Sequence, residues 1–215
     1  MKSSIKAQRF LTTVTLCATF LLGYLNAYSY VFNQSSYITP QTGNLISLGV
    51  ALVREDTQTT ILNFMLLVGF ALGCIIGGIL LLKVKINHRC LVFTWSVFTA
   101  MLMVVYLLND GLSQPVSVIL LALLSGFALT LFRKVGQFDV NNGIMTGNFK
   151  NLYVNLVQGF SKNSWAQIMK AFAFLLVIVV FFLGCLLGGY LSNFGEKITL
   201  IVSFLICLVP YFSLI

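Results

Sequence analysis

Long apolar runs separated by short polar breaks set the pattern of this chain. Six stretches are long and apolar enough, or nearly so, to cross a bilayer: Phe10–Phe32, Thr60–Leu82, Cys90–Leu108, Pro115–Phe132, Lys170–Leu191 and Ile198–Leu214. A spanning helix needs about 20 such residues, so each is predicted as a membrane-crossing helix. Two intervals differ. Tyr37–Val53 and Val140–Phe160 each hold a polar turn and then a helix-compatible segment of about 10–14 residues, which at about 1.5 Å per residue covers half the hydrocarbon thickness.

Both short intervals carry the same tripeptide. Thr42-Gly43-Asn44 recurs as Thr146-Gly147-Asn148, and further on Gly73-Cys74-Ile75-Ile76-Gly77-Gly78 recurs as Gly184-Cys185-Leu186-Leu187-Gly188-Gly189. Two motifs in the same order mark an internal repeat. Each half then reads span, re-entrant turn and half-helix, span, span. Three spans is an odd number, so the second half sits upside down relative to the first, as in many transporters and channels with a solute site at the midplane. The predicted architecture is an all-α integral membrane protein of six transmembrane helices in a 3+3 inverted-topology repeat. It forms one membrane domain over residues 1–215, divided into halves 1–109 and 110–215.

Charge decides whether the short segments cross. With both re-entrant, Lys2, Lys6, Arg9, Lys83, Lys85, Arg89, Arg133, Lys134, Lys150, Lys162 and Lys170 fall on the cytoplasmic side, and Glu55, Asp56, Asp110 and Glu196 fall outside. Full crossings would expel the Lys83–Arg89 cluster. The positive-inside bias therefore favours re-entrant segments and two cytoplasmic termini.

Composition fits this picture. The chain is 59% apolar and 8% charged, with a mean hydropathy of +0.97, far from the quarter of charged residues in a soluble domain. The surplus of Lys and Arg reads as topology, and nucleic acid is not an expected partner; the lipid bilayer is. Cys17, Cys74, Cys90, Cys185 and Cys207 lie in or beside apolar runs without a Cys-x-x-Cys pair, as small packing residues do. The Phe10–Phe32 run exceeds a signal-peptide core and lacks a clean cleavage site, so it is expected to remain as the first span.

The Thr-Gly-Asn turns are the candidate chemistry. A chain reversal at membrane depth is tolerated only where protein or a wet cavity satisfies its backbone. Two readings stand together: Thr or Asn caps the free N–H groups of the half-helix, or those N–H groups, at the positive end of the helix dipole, face a solute. The middle of every predicted span lacks ionisable residues, which disfavours a carboxylate proton relay. A neutral polar solute or a small anion is expected instead. The candidate substrate-binding residues are Asn26, Thr42, Gly43, Asn44, Asn142, Thr146, Gly147 and Asn148. Gly69, Gly73 and Gly77, with Gly184 and Gly188, lie four apart and are read as helix-packing positions, within the chain or between copies of it in a homo-oligomer. Asp139 is expected to form a loop ion pair with Arg133 or Lys134, and His88 to be solvated.

No metal-ligand pair, nucleophile elbow or paired carboxylates occur, so neither catalysis nor a cofactor is expected. The leading function is transport of a small solute. The rival is a membrane subunit or scaffold that acts by helix association.

Gly23-Tyr24-Leu25-Asn26-Ala27, the Thr42-Gly43-Asn44 turn with its apolar half-helix, and Arg133-Lys134 ahead of a second Thr-Gly turn resemble the YoaK-like family of bacterial membrane proteins, which carries domain of unknown function 1275. The family pattern has an acidic residue where this chain has Asn26, and a Gln-Asn pair where it has Ala128 and Leu129. The resemblance covers nearly the whole chain and implies a six-span bacterial inner-membrane protein, with transport as the expected role and no named substrate.

Overall fold

The apolar pattern becomes helix almost throughout. The computed structural model describes residues 2–83, 88–108, 111 and 113–212; the expectations placed on Lys85, Asp110 and the Lys2 and His88 side chains lie outside that description. The helices are α1 Lys2–Phe32, α2 Gln41–Val53, α3 Thr57–Lys83, α4 His88–Leu108, α5 Gln114–Leu131, α6 Met145–Ser161, α7 Trp165–Ser192, α8 Glu196–Cys207 and α9 Val209–Phe212. Between α5 and α6 a two-residue hairpin, β1 Lys134–Val135 and β2 Phe138–Asp139, turns through Gly136 at φ +60°. Lys134 Nζ lies 4.0 Å from Asp139 there, the loop ion pair the charges foretold.

Among the described residues five helices, α1, α3, α4, α5 and α7, are long and apolar enough to cross a membrane. The sixth predicted span divides into α8 and α9. Pro210 explains the break: it has no N–H to donate and its ring crowds the carbonyl of the preceding turn, and the local bonds become three-residue ones, Leu208 N to Leu205 O and Tyr211 N to Leu208 O. The two short segments end alike. Asp56 N donates to Ala51 O after α2, and Ser164 N to Gly159 O after α6, with Glu55 (φ 57°) and Asn163 (φ 47°) in the left-handed region. This is the helix-terminating αL arrangement that usually takes glycine.

Two long parallel seams organise the packing. α1 lies along α7, and α3 along α5. Glycine permits both. A Cβ on Gly184 would sit 2.0 Å from Phe20 O, and one on Gly23 would sit 2.1 Å from Phe181 O. In the other seam the distances are 2.1 Å from Gly73 to Leu123 O and 2.2 Å from Gly126 to Phe70 O. Backbones this close are the small-residue packing that lipid-embedded helices depend on. Gly69 and Gly77 also face α5, and Gly188 faces α1. The glycine-rich faces proposed as contacts between copies are therefore occupied within the chain.

α4 and α8 close the bundle. Trp95 stacks on Phe98 at its core, and Phe132 meets both rings edge-on. Trp95 Nε1 donates to Cys207 O, Tyr24 Oη to Thr199 O and Tyr28 Oη to Glu196 Oε1, which pins α8 against α1 and α4.

Candidate functional site

The Thr-Gly-Asn motifs are not themselves the turns. Each forms the first turn of its short helix, and the chain reversal is the extended segment before it. The capping expectation changes accordingly: Pro40 and Ile144 occupy the N-cap positions, and neither helix has a side-chain cap. Asn44 and Asn148 reach backwards instead. Asn44 Nδ2 donates to Tyr37 O at 2.6 Å and to Gln41 Oε1 at 3.0 Å, and its Oδ1 faces Tyr37 N at 3.5 Å. Asn148 Nδ2 donates to Asn141 O at 2.5 Å, and its Oδ1 accepts from Asn141 N at 3.1 Å. Each amide thus clamps the peptide group seven residues earlier, in both halves, and each is buried, at 1% and 0% exposure. A primary amide matches a backbone peptide donor for acceptor, and it satisfies groups that lipid would leave unpaired.

Asn26 does related work from α1. Its Oδ1 accepts from Ile38 N and Thr39 N, and its Nδ2 donates to Leu22 O and Thr39 Oγ1. Ser125 of α5 donates to Ile38 O at 2.6 Å. The first extended segment is therefore held from three sides. The second is held by Asn142, whose Nδ2 donates to Ala128 O of α5 at 3.0 Å.

The two extended segments meet. A Cβ on Gly143 would lie 2.9 Å from Thr39 Cγ2 and 3.1 Å from Leu22 Cδ1. Beside this contact is a cavity of about 460 Å³ between the ends of α1 and α7 and the starts of α2 and α6. Asn26, Thr39, Thr146 and Gly143 line it, with Tyr30, Tyr37, Met145, Phe181 and Cys185 as the larger walls. None of its lining residues is charged. Thr39, Gly143 and the α7 wall escaped the sequence-level candidates; Thr39 adjoins the repeat, whereas Gly143 and Phe181 carried no local signal.

Placement of the remaining candidates is uneven. Thr146 is exposed and faces the cavity; Thr42, its counterpart, is exposed but lies outside it. Gly43 and Gly147 are half-buried and lie against Tyr37 and Asn141 respectively. Asn44, Asn142 and Asn148 stand behind the wall as supports, their bonds directed to backbone.

A family model described as a protein of unknown function, DUF1275, matches residues 14–212. The chain belongs to the DUF1275 family. No curated protein and no solved structure matches it. For this DUF1275 chain the site must therefore be read from its own geometry: a neutral cavity at the junction of two chain reversals, walled by apolar and aromatic groups with a few hydroxyls and one amide. Such a site selects by shape and a small number of hydrogen bonds.

Proposed function

We propose that this protein is a multi-pass inner-membrane transporter or channel for a small neutral solute, with six spans in a 3+3 inverted repeat, two re-entrant segments and both termini in the cytoplasm. The observation that carries the reading is the meeting of Thr39 and Gly143 beside an uncharged cavity. Irregular backbone at membrane depth is expected where it lines such a space.

The packing supports the repeat. Exchanging the halves pairs α1 with α5, α2 with α6, α3 with α7 and α4 with α8. Under that exchange the α1–α7 seam becomes the α5–α3 seam, and the α4–α5 contact becomes α8–α1. Even the cysteines correspond: Cys185 Sγ lies 3.3 Å from Gly23 O, and Cys74 Sγ lies 3.6 Å from Gly126 O. α8 and α9 together form the sixth crossing, bent at Leu208. The lining favours a neutral solute over the anion left open by the sequence. The rival scaffold role loses its motivation, since the glycine faces it required pack inside the chain.

The test is counterflow in proteoliposomes with a panel of small polyols, amides and neutral heterocycles. Thr146→Trp fills the cavity from an exposed position and should block uptake, while Ile46→Trp, on the lipid-facing side of α2, should not. The reading fails if no solute enters faster than into protein-free liposomes, or if Thr146→Trp transports as well as the parent.

A further inference from the structure

A second cavity, of about 340 Å³, lies at the other end of the bundle. The β1–β2 hairpin lines it with Gln137, Phe138 and Asp139, and α7 lines it with Gln167, Lys170 and Phe174. Gly136 N donates to Thr12 Oγ1, so this is the end where α1 begins. The first cavity has its exposed rim, Tyr30, Val31 and Tyr37, at the end where α1 finishes. Because α1 and α7 run parallel, the two cavities open at opposite faces along the same helices.

α7 connects them. Gln167, Lys170 and Phe174 line the second cavity, and Phe181, Cys185 and Gly189 line the first. Their spacing of three, four or seven residues puts all six on one face of the helix. Phe174 and Phe181 stand two turns apart, about 10 Å of helix, with Val177 between them and fully buried. One apolar cluster fills this interval: Ala171, Phe174 and Val177 of α7 with Val135, Val140 and Leu152. Phe138, from the second cavity, and Met145, from the first, both pack against it. A single layer of apolar side chains therefore separates two aligned cavities. The second also holds an unmet bond, since Gln167 Oε1 is buried without a partner, and its two charges, Asp139 and Lys170, are of opposite sign. A neutral solute that donates a hydrogen bond would satisfy that amide.

We propose that the second cavity is the opposite mouth of the solute path, and that the cluster around Phe174 and Val177 is the gate that holds the path shut in this structure. The inference rests on the transport reading and adds a route to it, along one face of α7 between the hairpin and α6. An apolar constriction closes a path by excluding water, with no ion pair to break. Opening then requires α7 and the hairpin to part by about the width of a side chain, around a site that stays in place.

The experiment reads the gate by sidedness and needs no solute. Thr146→Cys reports on the first cavity and Gln137→Cys on the second, each in the full chain with its five native cysteines replaced by alanine. The probe is a membrane-impermeant methanethiosulfonate carrying a sulfonate, applied to right-side-out and to inverted membrane vesicles. Thr146→Cys should react from the face where α1 ends and Gln137→Cys from the other, each about tenfold or more faster than from its closed side. Phe174→Ala with Val177→Ser shortens the gate and wets it, the hydroxyl being needed because a purely apolar cavity stays dry. Labelling of Thr146→Cys from the closed face should then rise about tenfold. Continued labelling from the open face shows that the variant has folded; where it has not, Val177→Thr, which keeps the shape and adds one hydroxyl, should give a smaller rise in the same direction. Equal rates from both faces in the parent, or a closed-face rate that the gate substitutions leave unmoved in folded protein, overturns the proposal. Counterflow tells this failure from that of the transport reading. A chain that carries solute yet keeps its sidedness in the gate variants transports without this gate, whereas sidedness that yields in a chain carrying none of the tested solutes upholds the gated path while the transport reading fails on its own test.

Discussion

Gly184→Ala tests the packing on which the site rests. The added methyl would meet Phe20 O at 2.0 Å, Phe20 C at 2.9 Å and Tyr24 N at 3.0 Å. All three are backbone, so no side-chain rotation relieves the clash. Reaching the 3.4 Å of ordinary contact from 2.0 Å requires α1 and α7 to part by about 1.4 Å locally. That shift loosens the reciprocal fit of Gly23 against Phe181 O and the Cys185 contact with Gly23 O. Overpacking of this kind costs roughly 1–3 kcal/mol, and the gain in helix propensity on replacing glycine returns at most about 1 kcal/mol. A net loss of about 1–2 kcal/mol is expected, read as a lower midpoint of thermal unfolding in detergent. Gly73→Ala should behave the same way, since its methyl would meet Leu123 O at 2.1 Å. Gly78→Ala is the control: nothing lies within 4 Å of its Cβ, so it should be neutral or slightly stabilising. If Gly184→Ala proves as stable as Gly78→Ala, the close seam is wrong.

Three further outcomes follow from the same geometry. Asn44→Ala and Asn148→Ala should each cost about 1–3 kcal/mol and lower the amount of folded protein in membranes, because each removes the partner of a part-buried main-chain N–H and C=O; fluorescence size-exclusion chromatography reads this, and loss of flux at full abundance would instead favour direct solute contact. Glu55→Gly should stabilise by up to about 1 kcal/mol, by relieving a left-handed residue with a Cβ, and should exceed the effect of Asn163→Gly, since Asn tolerates that conformation better. Asp56, in the loop before α3, has its pKa lowered from an ordinary 3.8 by the Thr59 side chain and then by the Thr59 backbone N–H, which donates to its carboxylate at 3.1 Å. A depressed folded pKa means that its contribution is fully present above the ordinary value and is lost as pH falls through the lowered one; Asp56→Ala should remove that part of the acid sensitivity of the thermal midpoint and leave neutral pH behaviour nearly flat.

How far the sequence could be read depended on what each signal measures. Hydropathy reports solvation by lipid, so the five long helices and both short ones emerged, with α3, α4 and α5 within about three residues of their structural bounds. By contrast, α1 starts at Lys2 rather than Phe10 and α7 at Trp165 rather than Lys170, because their polar or mixed first turns lie outside the apolar run. The spacing of Gly73 and Gly77, or of Gly184 and Gly188, announced close approach but could not name the opposing helix, because the partner's contribution is backbone: Leu123 O and Phe20 O come from residues with no composition signal. Asn44 and Asn148 were conspicuous as repeats, yet their role was misplaced. A capping residue is expected to act ahead of the helix within two or three positions, whereas these reach back over seven to an extended segment whose path only the tertiary structure fixes. Gly143 gave no local hint at all. Its significance lies in facing Thr39, which is about a hundred residues away in sequence.

The clamps also change what the site offers a solute. A buried amide committed to its own backbone in both directions has little left to offer a ligand, so Asn44 and Asn148 secure the shape of the cavity rather than its chemistry. Under the proposed transport function, recognition would fall to the groups that face inward, Asn26, Thr39 and Thr146, set in a wall of Tyr30, Phe181 and Met145. Asn26 is already bonded four times to main and side chain around Leu22 and Ile38–Thr39, which leaves hydroxyls as the principal adjustable partners. A hydroxyl rotates to donate or accept at small cost. On that proposal, selection in this cavity would rest mainly on size and apolar fit, a few hydrogen bonds deciding orientation. A methyl group more or less in such a pocket is worth only about 1–3 kcal/mol of discrimination. The protein should accordingly accept a narrow group of similar neutral solutes rather than one alone, and counterflow competition among close homologues in size is the measurement that shows it.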